Sequence, residues 1–98
     1  MFRLFQGEDR ILYYLSTQNR ADITPSELSE RLHITRARAT AAVQELERKQ
    51  YVTRIRSQKD KRRIYLSLTE DGTSYIRHRV ESAQNQSREL LAALGESD

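Results

Sequence analysis

Apolar residues recur along this chain in two rhythms, helical first and strand-like later. Ile11, Leu12 and Leu15 form one stripe of a helix predicted from Gly7 to about Ser16. Glu8 and Asp9 fall in its opening turn, where the helix dipole favours acids. The polar run from Thr17 to Asp22 reads as a loop. Thr24-Pro25-Ser26-Glu27 then carries a strong start signal. It offers a threonine N-cap, a proline at the first helical position and a glutamate placed to close a capping box. Leu28 and Leu32 lie one turn apart, so this second helix is short and ends near His33. Ile34 is the apolar residue of the turn. Thr35 caps a third helix, about Arg36 to Lys49, with Ala39, Val43 and Leu46 as its buried stripe. Arg36, Thr40, Gln44 and Glu47 lie on the opposite face, with Arg38 near it in the first turn. So short a gap between two helices is helix-turn-helix spacing.

From Tyr51 the period changes. Tyr51 to Arg56 has the β-branched and aromatic density of a strand. Ile64, Leu66 and Leu68 alternate with Arg63, Tyr65 and Ser67, as in a half-buried strand. Between them SQKDKRR is polar throughout and reads as the exposed tip of a wing. Thr69 caps a last helix, with Glu70 and Asp71 in its first turn, running to about Leu94 and stopping at Gly95. Ile76, Val80, Ala83, Ser87, Leu90 and Leu94 recur at spacings of 4, 3, 4, 3 and 4, a heptad seam that Leu91 widens. Some ~25 residues make a helix nearly 40 Å long, more than three short helices can cover, so a second copy of the chain is the expected partner. Phe2, Leu4 and Phe5 also need cover, from that partner or from the last helix, and Phe2 and Phe5 join the expected dimer interface. The fold class expected is mainly α with a small β-hairpin (α+β). A winged helix-turn-helix spans 7–69 and a dimerisation helix 70–95, within one domain of 98 residues.

Charge gives this outline a direction. Residues 31–63 hold eleven Lys or Arg against three acids, a net of +8, which leaves −5 for the rest of a chain whose total is +3. A basic middle on an acidic body suits a polyanion partner. Other chemistry is thin. There is no cysteine, which removes disulfides and thiolate metal sites. His33 and His78 are the only histidines and sit on different elements, so no metal site is expected. No phosphate loop, nucleophile elbow or paired-carboxylate motif occurs, and the chain is not read as an enzyme or as needing a cofactor. No apolar run approaches a membrane span and no signal-peptide core opens the chain, so the expectation is a cytoplasmic protein.

Duplex DNA is the partner these features favour. Thr24, Ser26 and Thr35, with the N–H groups of two helix starts, are candidates to hold phosphates. Arg36 and Arg38 are candidates for guanine, and equally for phosphate. Thr40 and Gln44 share their face. Lys59, Lys61 and Arg63 would neutralise the DNA backbone, and Arg54 and Arg62 are further candidates for DNA contact. Two alternatives stand beside this reading. One is a winged helix that docks a protein. The other is an effector sensor with an apolar pocket lined by Tyr13, Tyr14, Tyr75 and the N-terminal phenylalanines.

Three segments, ITPSELSERL (Ile23 to Leu32), LERKQYVTR (Leu46 to Arg54) and above all DKRRIYLSLTEDG (Asp60 to Gly72), resemble the MarR family of bacterial winged-helix regulators. The resemblance covers about Gly7 to Leu94. It implies a homodimer on a pseudo-palindromic operator, usually as a repressor, with the third helix in the major groove and the wing in the minor groove. Arg62 matches the family's wing-tip arginine, Asp60 the aspartate that braces it, and Thr40 a threonine common on the recognition helix. Three departures are visible. Ala41 stands where a basic residue is frequent, and Gln50 where a glycine often follows the recognition helix. Only Met1 to Gln6 precede the first helix, where family members carry a further helix that helps build the dimer and the effector pocket. The sequence therefore reads as a short form of the family.

Overall fold

The computed structural model describes residues 7–18 and 20–95, with side chains as far as Asn85. In chain order these form α1 (Glu8–Thr17), α2 (Pro25–Leu32), α3 (Arg36–Arg48), β1 (Val52–Arg56), β2 (Ile64–Leu68) and α4 (Glu70–Gly95). Phe2, Phe5 and the side chains of Ser87, Leu90, Leu91 and Leu94 lie outside the described residues.

The helical stripes meet in one core. Ile11, Leu12 and Leu15 of α1 pack with Leu28, with Val43 and Leu46 of α3, with Val52 and Leu66 of the hairpin, and with Ile76. The strands are antiparallel, Val52 opposite Leu68 and Arg56 opposite Ile64. Buried Ile23, just before α2, accepts a 2.8 Å bond from the Leu66 N–H, which fastens the turn region to the hairpin.

Thr24, Thr35 and Thr69 cap the helices that follow them, accepting from the N–H groups of Glu27, Arg38 and Gly72 at 3.2, 3.1 and 2.9 Å. The segment between α3 and α4 folds tightly. Gln50 adopts φ +65°, the left-handed conformation that glycine takes at no steric cost. Thr69 donates its hydroxyl to the Gln50 carbonyl at 2.6 Å and its N–H to the Tyr51 carbonyl at 3.0 Å. A Cβ on Gly72 would stand 2.1 Å from that same Tyr51 oxygen. The glycine early in α4 is thus required by a close backbone approach. The Tyr75 ring stacks on Tyr51 at 4.8 Å, and its hydroxyl donates to Asp9 at 3.0 Å. Arg79 reaches the other Asp9 oxygen at 3.2 Å, and Lys49 bonds Glu8 at 2.7 Å. The first turn of α1 therefore joins the end of α3 to α4.

Four expectations need correction. Glu27 does not close a capping box. Its carboxylate instead accepts from the Tyr14 hydroxyl at 2.5 Å and pairs with Arg20, tying α2 to α1 and the loop after it. Ile76 does not serve a dimer seam, because it is 2% exposed within this chain's own core, and Val80 packs against that core. The alternation in β2 is softer than its sequence. Only Leu66 is fully buried, while Ile64, Tyr65, Ser67 and Leu68 are all half-buried. Ser57 is not part of an exposed tip but is buried.

Candidate nucleic-acid interface

The start of α2 faces an open hollow of about 420 Å³. Thr24 and Ser26 line one side of it, Arg36 from the first turn of α3 another, and Arg62 and Arg63 of the wing the third. The first turn of α3 and the wing thus bring three arginines to one helix N-terminus. The Ser26 N–H that Pro25 and the Thr24 cap leave over, a positive dipole end and fork-shaped cations together suit a phosphate.

The outward face of α3 lies beside this hollow. Thr40 and Gln44 are exposed on it, as their spacing implies. Arg36 and Arg38 are exposed too, but they part company. Two positions along a helix is about 200° around its axis. Arg36 lines the hollow with the wing, whereas Arg38 lines a separate one with Glu8 and Arg10 at the start of α1. Ala37 and Ala41 occupy the exposed face between them.

The wing is braced from within. Buried Ser57 accepts from the Asp60 N–H at 3.2 Å, and its own N–H donates to the Arg63 carbonyl at 3.0 Å. The Asp60 carboxylate accepts from the Arg62 N–H at 3.0 Å, while its distances to the Arg62 and Arg63 guanidinium nitrogens are 3.7 and 3.9 Å. Asp60 thus fixes the backbone of the tip and leaves the Arg62 side chain, 96% exposed, projecting into solvent. Arg56 donates to the Lys61 carbonyl at 2.6 Å and closes the loop from the strand side. Arg54 bonds Glu47 of α3 at 2.7 Å, so it braces the wing against α3. Lys59 and Lys61 are exposed at the tip.

Sequence reasoning missed the bracing roles of Ser57, Arg54, Arg56 and Glu47 in this surface. Ser57 had a signal: a serine three residues before an aspartate in a polar loop is the spacing of a side-chain-to-backbone turn. The two arginines had none, because a basic residue in a basic strip looks like a phosphate contact until its partner is visible.

Away from this face, α1 and the end of α2 enclose a hollow of about 540 Å³, lined by Arg10, Tyr13, Tyr14, Arg31 and His33 among others. Tyr75, expected beside those tyrosines, stacks on Tyr51 instead. The Arg20 hydrogen bond holds the Glu27 carboxyl below its usual range, while burial and then the Glu27 bond push the Tyr14 phenol up. Among the described residues no cluster of acids and histidines could hold a metal, and no helix is long and apolar enough to cross a membrane.

A helix-turn-helix followed by a braced hairpin is shared with known proteins. The family model described as MarR family matches residues 10–63, more than half of the chain. The chain belongs to the MarR family. Among its relatives, the transcriptional repressor MprA of Escherichia coli K12 is 34% identical over 87 residues, covering 89% of this chain and 49% of that protein. The regulator PapX of Escherichia coli is 36% identical over 75 residues, covering 76% and 45%. The MarR-family chain thus spans about half the length of the curated relatives it matches. A Staphylococcus aureus MepR variant bound to an oligodeoxyribonucleotide superposes with a TM-score of 0.82 at 21% identity, over 89% of this chain and 63% of that one. The regulator BldR of Sulfolobus solfataricus superposes at 0.71 with 32% identity, over 87% and 59%.

Proposed function

We propose that this MarR-family chain is a sequence-specific duplex-DNA-binding transcriptional repressor acting as a homodimer on a pseudo-palindromic operator. In this reading α3 enters the major groove and the wing enters the adjacent minor groove. The observation that carries it is the hollow where the start of α2, the start of α3 and the wing tip converge with Thr24, Ser26, Arg36, Arg62 and Arg63. A phosphate seated there fixes α3 and the wing on the duplex at one register. Repression is the role named for the relative MprA. Dimerisation rests on the length of α4, whose 26 residues run past the core that Ile76 and Val80 contact.

The test is selection of binding sites from random duplexes, followed by anisotropy titration at fixed salt. Two half-sites about one helical turn, roughly 10 base pairs, apart are expected. Arg62→Ala weakens binding by about 1–3 kcal/mol, the value of one groove contact, with unchanged folding. Unchanged affinity refutes the wing assignment, and a single unpaired site refutes the dimer. A second reading, sensing of a small effector, draws on the α1–α2 hollow, whose arginines and tyrosines suit an aromatic anion.

A further inference from the structure

The outward face of α3 is unusual in what it lacks. Its centre holds Ala37, Thr40, Ala41 and Gln44, all exposed and all uncharged. The arginines stand at its two edges, Arg36 toward the wing hollow and Arg38 toward α1. The charges nearest the C-terminal end are tied up, Glu47 by Arg54 at 2.7 Å and Arg48 by Glu45 at 3.0 Å. Side chains this short touch base edges only if the helix sits deep in the major groove. They then meet the groove floor with two methyls from the alanines, the methyl of Thr40 and one amide.

We propose that this face selects A·T base pairs in the centre of each half-site. The alanines and the Thr40 methyl pack on thymine C5-methyl groups, and the Gln44 amide pairs with N6 and N7 of an adenine. The inference rests on the DNA-binding reading above and names what that site reads. Seven residue steps separate Ala37 from Gln44, about 10 Å along the helix axis. At 3.4 Å per base pair, that covers roughly three base pairs. Guanine contacts from Arg36 and Arg38 are then not needed for specificity, and both serve the phosphates at the rim.

The test begins from the duplex enriched by selection with the full chain. Each thymine of the central pairs is replaced in turn by deoxyuridine, which removes only the methyl, and each adenine by 7-deazaadenine, which removes only the N7 acceptor. Affinity is read by anisotropy at fixed salt. A methyl that leaves a packed contact lowers affinity about fourfold, as expected for one buried CH₂. Loss of N7 at one adenine lowers affinity several-fold in the parent protein and has no effect in Gln44→Ala. A half-site centre enriched in G·C pairs overturns the proposal while leaving DNA binding intact. So does an A·T centre indifferent to deoxyuridine, since that preference would belong to groove shape. Equal affinity for all duplexes overturns both this proposal and the reading it rests on.

Discussion

Ser57→Ala removes one oxygen from the wing and tests whether the tip is pre-organised. Ser57 is 9% exposed, and its hydroxyl accepts from the Asp60 N–H at 3.2 Å. Asp60 in turn fixes the Arg62 N–H at 3.0 Å. Losing a neutral hydrogen bond costs about 0.5–1.5 kcal/mol. Asp60 is only partly buried, so water takes up some of the freed donor and the loss to folding falls at the low end. The effect on DNA is separate. A tip that is no longer fixed must order its backbone around Arg62 on binding, at about 1 kcal/mol for one residue. Affinity therefore falls by roughly threefold to tenfold, while the melting temperature moves by a few degrees at most. The decisive assay is a double-mutant cycle with Arg62→Ala, each variant titrated at one salt concentration. If Ser57 acts by positioning Arg62, its removal costs almost nothing once Arg62 is already alanine. Equal losses in both backgrounds refute the positioning role, and an unchanged affinity in the single variant refutes pre-organisation altogether.

Two further predictions concern stability. Gln50→Gly relieves a left-handed residue at φ +65°, which costs an L-residue about 1–2 kcal/mol. After the added freedom of glycine in the unfolded chain, a net gain of about 0.5–1 kcal/mol remains, and denaturant titration showing a loss would refute it. Arg20 and Tyr14 hold the Glu27 carboxyl below its ordinary pKa. A depressed pKa adds stability above the unfolded value and loses it as pH falls through the folded one. Thermal melts should therefore decline below about pH 4–5 less steeply for Glu27→Gln than for the parent. Parallel pH profiles for the two would show that the contact does not stabilise the fold.

Local signals in the sequence announced most of the elements. Thr24, Thr35 and Thr69 are caps because a hydroxyl satisfies N–H groups that every helix start leaves over, and that chemistry depends on near neighbours only. The hollow formed by Thr24, Ser26, Arg36, Arg62 and Arg63 was legible as a set of residues though not as one place. The missed features depend on distant partners. Glu27 has the spacing of a capping box, but a tyrosine and an arginine from α1 and its following loop compete for the carboxylate. Ile76 carries the right heptad phase, yet the first turns of α4 lie over the core, and the core claims it. Gln50 has no local sign of its left-handed backbone, only the family's frequent glycine at its position, and the tight connection around Tyr51 and Gly72 imposes it.

The same sorting of partners sets the salt dependence expected of the proposed DNA binding. Of the eleven Lys and Arg in residues 31–63, Arg48, Lys49 and Arg54 are paired with Glu45, Glu8 and Glu47, and Arg56 holds the Lys61 carbonyl. Among the described residues no ion pair holds Arg31, Arg36, Arg38, Lys59 or Lys61. Arg62 and Arg63 approach Asp60 no closer than 3.7 and 3.9 Å. With Arg31 set aside at the α1–α2 hollow, six cations are thus available, and three of them, Arg36, Arg62 and Arg63, already share the hollow at the start of α2. Each phosphate neutralised contributes about −0.9 to the slope of log affinity against log salt. The expected slope per protomer lies between about −3, when only the hollow is filled, and about −5, when all six cations engage. A slope near −10 per protomer would mean that the braces of the wing and of α3 open on DNA, contrary to a pre-organised surface. A slope shallower than about −1 would mean that the basic face does not meet phosphates at all.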